Sequence, residues 1–169
     1  PAHLLTSIDE RLSARQGEGE YGHGLYGIAH TLKLGACPGV LVVVGGEHQT
    51  IGPLGMTLGI LIDICHKVID TLPEYYFRYI LINDGSKDKT YLVMKRLAAR
   101  FDNIKYISFS RNFGKEAAMY AGLQHCDADY VVVMDADLQH PPAVFPQMLE
   151  AMNEGYDCCA TKRDEREGE

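Results

Sequence analysis

A chain of 169 residues, 46% apolar and 23% charged, has the size and composition of one globular domain with a single sizeable core. Its formal net charge of -7 excludes the broad basic face of a nucleic-acid binder and argues against adhesion to an anionic lipid surface. What remains is a local site for a small anion, with or without a metal. The five cysteines, Cys37, Cys65, Cys126, Cys158 and Cys159, are odd in number and include no Cys-x-x-Cys pair. They therefore read as small apolar residues in a reducing, cytoplasmic compartment rather than as a disulfide frame. The longest apolar helix candidate, Ile51 to Ile62, is too short to span a bilayer and runs into Asp63.

In chain order, residues 1–39 are mixed, and the polar, glycine-rich stretch Gln16-Gly17-Glu18-Gly19-Glu20 reads as a loop. Val40 to Val44 is a buried strand and Leu58 to Leu72 a helix. Tyr79 to Ile82 is a short strand that ends in the turn Asn83-Asp84-Gly85-Ser86. Thr90 to Phe101 is a helix with Leu92, Val93, Leu97 and Ala98 near one face. Ile104 to Phe109 is a strand and Glu116 to Cys126 a helix. Tyr130 to Met134 is the continuous apolar run of a parallel strand buried on both faces. Pro141-Pro142 opens a helix through Met152, and Asp157 to Thr161 is the last strand. Strands alternating with helices predict an α/β fold with a doubly wound, mostly parallel sheet.

Four segments carry candidate chemistry. The strongest, Asp135-Ala136-Asp137-Leu138-Gln139-His140-Pro141-Pro142, directly follows the most apolar strand. Side chains two apart on an extended segment face the same way, so Asp135 and Asp137 can meet one hard cation, with Gln139 continuing the row. Mg2+ or Mn2+ takes such oxygen ligands and bridges carboxylate to phosphate. The carboxyl ends of parallel strands are also where open α/β sheets bind ligands. An Asp-x-Asp by itself is more often a polar turn capping the next helix, and the whole octet in this place reverses that balance.

In the second segment, Asn83 to Thr90, Asp84 stands at another strand end, where a carboxylate can accept from the imino group of uracil or guanine. Gly85 allows a tight turn, and Ser86 or Asp88 can cap the helix that follows. The third, Ser110-Arg111-Asn112-Phe113-Gly114-Lys115-Glu116, opens a helix after a strand and offers backbone N–H groups and two cations to an anion. The fourth, Lys162 to Glu169, is a mixed charge run that, taken alone, reads as a solvated face.

These segments stand in the order and spacing of glycosyltransferase family 2, whose fold is the GT-A nucleotide-diphospho-sugar type. Asn83 to Thr90 (NDGSKDKT) resembles the family's DDGSxDxT. SRNFGKEAA from Ser110 and DADLQHPP from Asp135 resemble the polyprenyl-phosphate branch, which loads sugars onto dolichol or undecaprenyl phosphate. KRDEREGE from Lys162 is similar to the segment preceding that branch's acceptor-side helix.

The likeness runs from about Leu72 to Glu169. It implies a GT-A domain over residues 40–169 that follows an irregular segment, 1–39. The implied reaction is metal-dependent sugar transfer, with inversion, from a UDP- or GDP-linked donor to a polyprenyl phosphate. The acceptor phosphate is already ionised and needs no strong protein base. Glu47, Asp84, Arg111 and Asp135 would bind the nucleotide, and Asp135, Asp137 and Gln139 the Mg2+ or Mn2+. Asp137, Arg163 and Arg166 would serve the chemical step, the arginines facing phosphates.

There are departures. Val43-Val44-Gly45-Gly46-Glu47 replaces the family's Pro-x-Tyr-Asn-Glu, and Asn83 replaces an aspartate. Glu47 to Pro73 is longer than usual, and the chain stops at Glu169, ahead of the expected acceptor-binding and membrane-associated part. The resemblance thus places any membrane association in that further part, at the cytoplasmic face. It also leaves open a non-catalytic nucleotide-sugar-binding fragment.

A third reading is a Rossmann oxidoreductase. Gly22-His23-Gly24-Leu25-Tyr26-Gly27 fits G-x-G-x-x-G, and Glu47 follows about 20 residues later as that fingerprint requires. Polar, glycine-rich residues rather than a strand precede Gly22, which speaks against it.

Overall fold

A computed structural model describes residues 27–30, 39–45, 54–138 and 141–161. The elements are β1 (Gly27–His30), β2 (Gly39–Gly45), α1 (Leu54–Ile69), β3 (Tyr76–Asn83), α2 (Thr90–Arg100), β4 (Ile104–Ser108), α3 (Lys115–Gln124) and β5 (Tyr130–Asp135). A 3-10 turn (Pro142–Val144), α4 (Phe145–Asn153) and β6 (Cys158–Ala160) follow. The strands form one sheet of order β4-β3-β2-β5-β1-β6. The pairs β2–β3, β3–β4 and β2–β5 are parallel, and β1 runs antiparallel between β5 and β6. This is the mostly parallel, helix-covered sheet that the alternation predicts.

The central strands carry apolar side chains on both faces, and their two-residue period sorts them. Val40, Val42, Val44, Phe77, Tyr79, Leu81, Val132 and Met134 pack against α1, α2 and α4. Val43, Ile80, Ile82 and Val131 face Ala118 of α3 on the other side. Cys65 lies in the larger core, where burial pushes its thiol up to about 12, so it packs as an apolar side chain. Cys126, Cys158 and Cys159 are free and partly buried.

Several details depart from the sequence reading. A strand, β1, lies within the stretch read as irregular. In α2 the buried residues are Thr90, Met94 and Leu97, whereas Leu92 is exposed. Two residues from Met94 is about 200° around a helix, which points Leu92 away from the sheet. The helix read from Pro141 through Met152 is split. Pro146, which has no N–H to donate, falls in the first turn of α4, so the α-helix starts at Phe145 and a 3-10 turn bridges to it. Among the described residues no helix is long and apolar enough to cross a membrane.

Close approach of α3 to the sheet depends on Gly122. A Cβ there would sit 2.4 Å from Val43 Cγ1 and 2.9 Å from Ile82 Cδ1. Gly122→Val is expected to cost about 1–3 kcal/mol through overpacking, read as a lower urea midpoint at unchanged slope. An unchanged midpoint would mean that α3 stands off from the sheet.

Candidate functional site at the carboxyl ends of the parallel strands

An open pocket lies at the carboxyl ends of β2, β3 and β5, on the α3 side. Its lining includes Gly45, Asp84, Lys115, Met119 and Asp135. Asp135 ends β5 opposite Gly45, and the pairing extends one further step through a hydrogen bond from Ala136 N–H to the Gly45 carbonyl, 2.9 Å. Ala136 joins Met134 and Val132 in the larger core. That alternation turns Asp135 to the opposite face, toward α3. There Lys115 Nζ donates to Asp135 Oδ2 at 2.8 Å, with the two side chains 30% and 16% exposed.

Asp84, directly after β3, is 9% exposed and has both carboxylate oxygens engaged. Phe113 N–H donates to Oδ1 at 2.7 Å and Gly114 N–H to Oδ2 at 2.8 Å. The neighbouring backbones interlock as well. Gly85 has φ +70, and a Cβ on it would lie 2.3 Å from the Arg111 carbonyl carbon, so only glycine fits the turn. Buried Asn83 accepts from Ser86 N–H at 2.9 Å and donates to Ser108 Oγ at 3.0 Å. An amide supplies donor and acceptor together, which an ionised aspartate cannot. The departure at Asn83 thus has a local hydrogen-bonding basis. Asp88 accepts from the N–H of Thr90, the first residue of α2, at 2.9 Å, while the N-cap position itself is Lys89 and makes no side-chain capping bond.

The segment expected to offer N–H groups and two cations to an external anion is thus already served from within. Asp84 takes the Phe113 and Gly114 donors, and Asp135 takes Lys115. Arg111 stays at the surface with its guanidinium 4.8 Å over the Phe113 ring. The extended row of Asp135, Asp137 and Gln139 also needs correction. The strand ends at Asp135, Ala136 and Asp137 form a turn, and Leu138 takes a left-handed φ of 63. The two-residue alternation therefore does not carry past the turn. Asp137 is partly buried there and does not line the pocket.

Glu47, Gln139, Arg163 and Arg166 lie outside the described residues, as do the first five positions of the G-x-G-x-x-G match. Its last, Gly27, begins β1, so the described strand follows the match rather than feeding it. From the sequence alone Lys115 reads as a cation with no assigned partner. The signal was its place as the first residue of a helix beginning at the strand ends.

Among the described residues no three or more His, Cys, Asp or Glu side chains gather as a metal cage. The donors present still suit a hard cation, since Mg2+ and Mn2+ sites commonly combine one or two carboxylates with substrate phosphate and water. The Lys115 ammonium is the positive charge paired with Asp135 in this structure.

Comparisons with known proteins bear on the family and the fold. The family model described as glycosyl transferase family 2 matches residues 59–169. CsbB of Bacillus subtilis (strain 168), named as a glycosyltransferase, is 48% identical over 93 residues, covering 55% of this chain and 28% of its own. The bactoprenol glucosyl transferase of Shigella phage SfX is 40% identical over 108 residues, covering 62% of this chain and 35% of its own. The chain thus spans about a third of the length of these relatives. A solved mannosyltransferase of Pyrobaculum calidifontis, in complex with GDP-Man and Mn2+, superposes with TM-score 0.50 at 14% identity. It covers 83% of this chain and 36% of that one, a likeness of fold.

Proposed function

The chain belongs to glycosyl transferase family 2, and we propose that its pocket binds the nucleoside diphosphate of an activated sugar, UDP- or GDP-linked, for transfer of the sugar to a polyprenyl phosphate. The observation that carries this reading is the convergence of Asp84, Lys115 and Asp135, from three separate segments, on one pocket at the strand ends. Two carboxylates and one ammonium suit a ligand that carries hydrogen-bond donors at one end and negative charge at the other. Asp84 spends one lone pair per oxygen on Phe113 and Gly114, and a carboxylate has about four acceptor directions in all. It therefore keeps capacity for the imino group of a uracil or guanine. Arg111 and Glu47 would add to the nucleotide's binding.

Asp135, at the pocket, would hold Mg2+ or Mn2+, and Asp137 and Gln139, assigned with it on the family resemblance, would need to turn toward it; the metal when bound neutralises charge gathering on the departing diphosphate. Asp137 then serves the chemical step by way of that charge. The acceptor part rests on the family branch: Arg163 and Arg166 would face the lipid phosphate, and the bactoprenol glucosyl transferase of phage SfX supports a polyprenyl acceptor. Such a phosphate is ionised at neutral pH and needs only orienting. Placing it against the donor is worth on the order of 7–11 kcal/mol of barrier.

Calorimetric titration of UDP and of GDP, each with and without Mn2+, tests the donor half. One nucleotide is expected to bind better than the other, and better with metal. Labelled UDP- and GDP-sugars with undecaprenyl phosphate in detergent test transfer. Equal, metal-independent affinities for both nucleotides, with NADH bound instead, would overturn the reading in favour of an oxidoreductase. Metal-assisted binding without lipid-linked product would leave a donor-binding module.

A further inference from the structure

The Lys115–Asp135 pair bears on how the site loads. Asp135 is the carboxylate at the end of β5, the one assigned above to the metal, yet its Oδ2 is held by an ammonium at 2.8 Å. A divalent cation and Lys115 cannot share that oxygen without facing each other at close range. The lysine is placed so that it can yield. Its backbone opens α3, right behind the Phe113–Gly114 turn held by Asp84, and α3 is seated on the sheet through Gly122. Its side chain is a flexible four-carbon stem ending in a point charge with three donors, 30% exposed in the pocket wall. The base is fixed and the tip can swing.

We propose that Lys115 is a resident counter-ion, which occupies Asp135 while the donor is absent and moves to the donor's diphosphate when a divalent cation takes the carboxylate. The inference rests on the pocket being the donor site. Its consequence is coupled loading. Metal alone must displace the ammonium and leave it without an anion beside a second cation. Metal arriving with a nucleoside diphosphate gives the displaced ammonium a phosphate oxygen. By reciprocity, each ligand then raises the affinity for the other by the same factor. The site resists metal without donor, and Asp84 contributes as a positioning residue for the lysine.

The test uses the whole chain and Mn2+ as probe, followed by electron paramagnetic resonance, with UDP and GDP as the second ligand. Lys115→Met is expected to bind Mn2+ alone at least about fivefold more tightly than the wild type, the low end of a typical coupling. Its affinity for the nucleoside diphosphate in the presence of Mn2+ should fall, so that the coupling factor shrinks toward one. Lys115→Arg, which keeps the charge, should retain weak binding of metal alone. Lys95→Met, a loss of charge on the exposed side of α2, should leave both affinities unchanged.

A structural role alone would weaken metal binding in Lys115→Met, not tighten it. Unchanged or weaker Mn2+ binding in that variant overturns the inference, as does an equal gain in Lys95→Met. If the wild type binds neither nucleotide with Mn2+, the donor-site reading itself fails and takes this inference with it. If the wild type binds and Asp135→Asn abolishes the metal's effect while Lys115→Met changes nothing, only the counter-ion role falls.

Discussion

Asp135→Asn combined with Asp137→Asn is expected to abolish the gain in nucleoside diphosphate affinity that Mn2+ or Mg2+ confers. In a form competent for transfer, turnover should fall on the order of 10²–10³-fold or more, the scale for removing one preorganised charge-stabilising group. On the proposed assignment the effect is large because Asp135, at the pocket, would stand where negative charge increases as the sugar leaves. Loss of the Lys115 pair should itself cost the fold little. The ion pair lost at Lys115 is partly exposed, and such pairs are worth about 0–1 kcal/mol. Metal-free affinity in the double variant should equal or exceed that of the wild type, since two negative charges have left the neighbourhood of an anion. Calorimetry at matched ionic strength reads all of this. A metal-dependent gain that survives the double change would place the cation elsewhere.

What the sequence made legible follows from periodicity. The runs Val40–Val44, Tyr79–Ile82 and Tyr130–Met134 are continuous stretches of β-branched, aliphatic and aromatic residues, and became the adjacent parallel strands β2, β3 and β5. Once those strands are parallel, their carboxyl ends must lie together, so Asp84 and Asp135 were bound to share one edge of the sheet. β1 was not legible. Four residues, Gly27 to His30, are too few to establish a period, and their partners Tyr130 to Val133 lie about 100 residues away in sequence. The turn after Asp135 was equally hidden, because a non-glycine left-handed residue such as Leu138 has no signature in composition.

The partners of the charged side chains were illegible for another reason. Helix-opening N–H groups and cations read the same whether their anion is a ligand or the protein's own carboxylate. Only the sheet order, which sets β3 and β5 on either side of β2 and α3 over them, decides that Asp84 meets Phe113 and Gly114 and that Asp135 meets Lys115.

Asp84→Ala is where the sequence reading and the structure lead to different results. As a turn residue whose task is a hydrogen bond to the base, Asp84 could be removed without harm to the fold, at about 1–3 kcal/mol of nucleotide binding. In the structure the carboxylate grips two successive backbone amides 29 and 30 residues further on, at 2.7 and 2.8 Å, in a setting only 9% exposed. Removing it strands both donors, and hydrogen bonds to a charged group are worth about 1.5–3 kcal/mol each. The variant is therefore expected to lose about 3–6 kcal/mol of stability, a drop in Tm on the order of 6–24 °C for a chain of this size.

Amide exchange at Phe113 and Gly114 should accelerate with that loss of protection, because the turn is freed locally before the sheet opens. The turn carries Lys115, so binding of Mn2+ with inorganic pyrophosphate should weaken together with binding of Mn2+ with UDP or GDP. A contact to the base alone would spare pyrophosphate and leave the amides protected. Asp84→Asn is the finer probe, since it keeps the shape and one acceptor oxygen but turns an N–H toward one of the two amides. It should fall between the wild type and alanine in both exchange and melting temperature. Native exchange rates at Phe113 and Gly114 in Asp84→Ala, together with a loss confined to the nucleosides, would mean that the grip on the turn contributes nothing and that base recognition is the whole of Asp84's role.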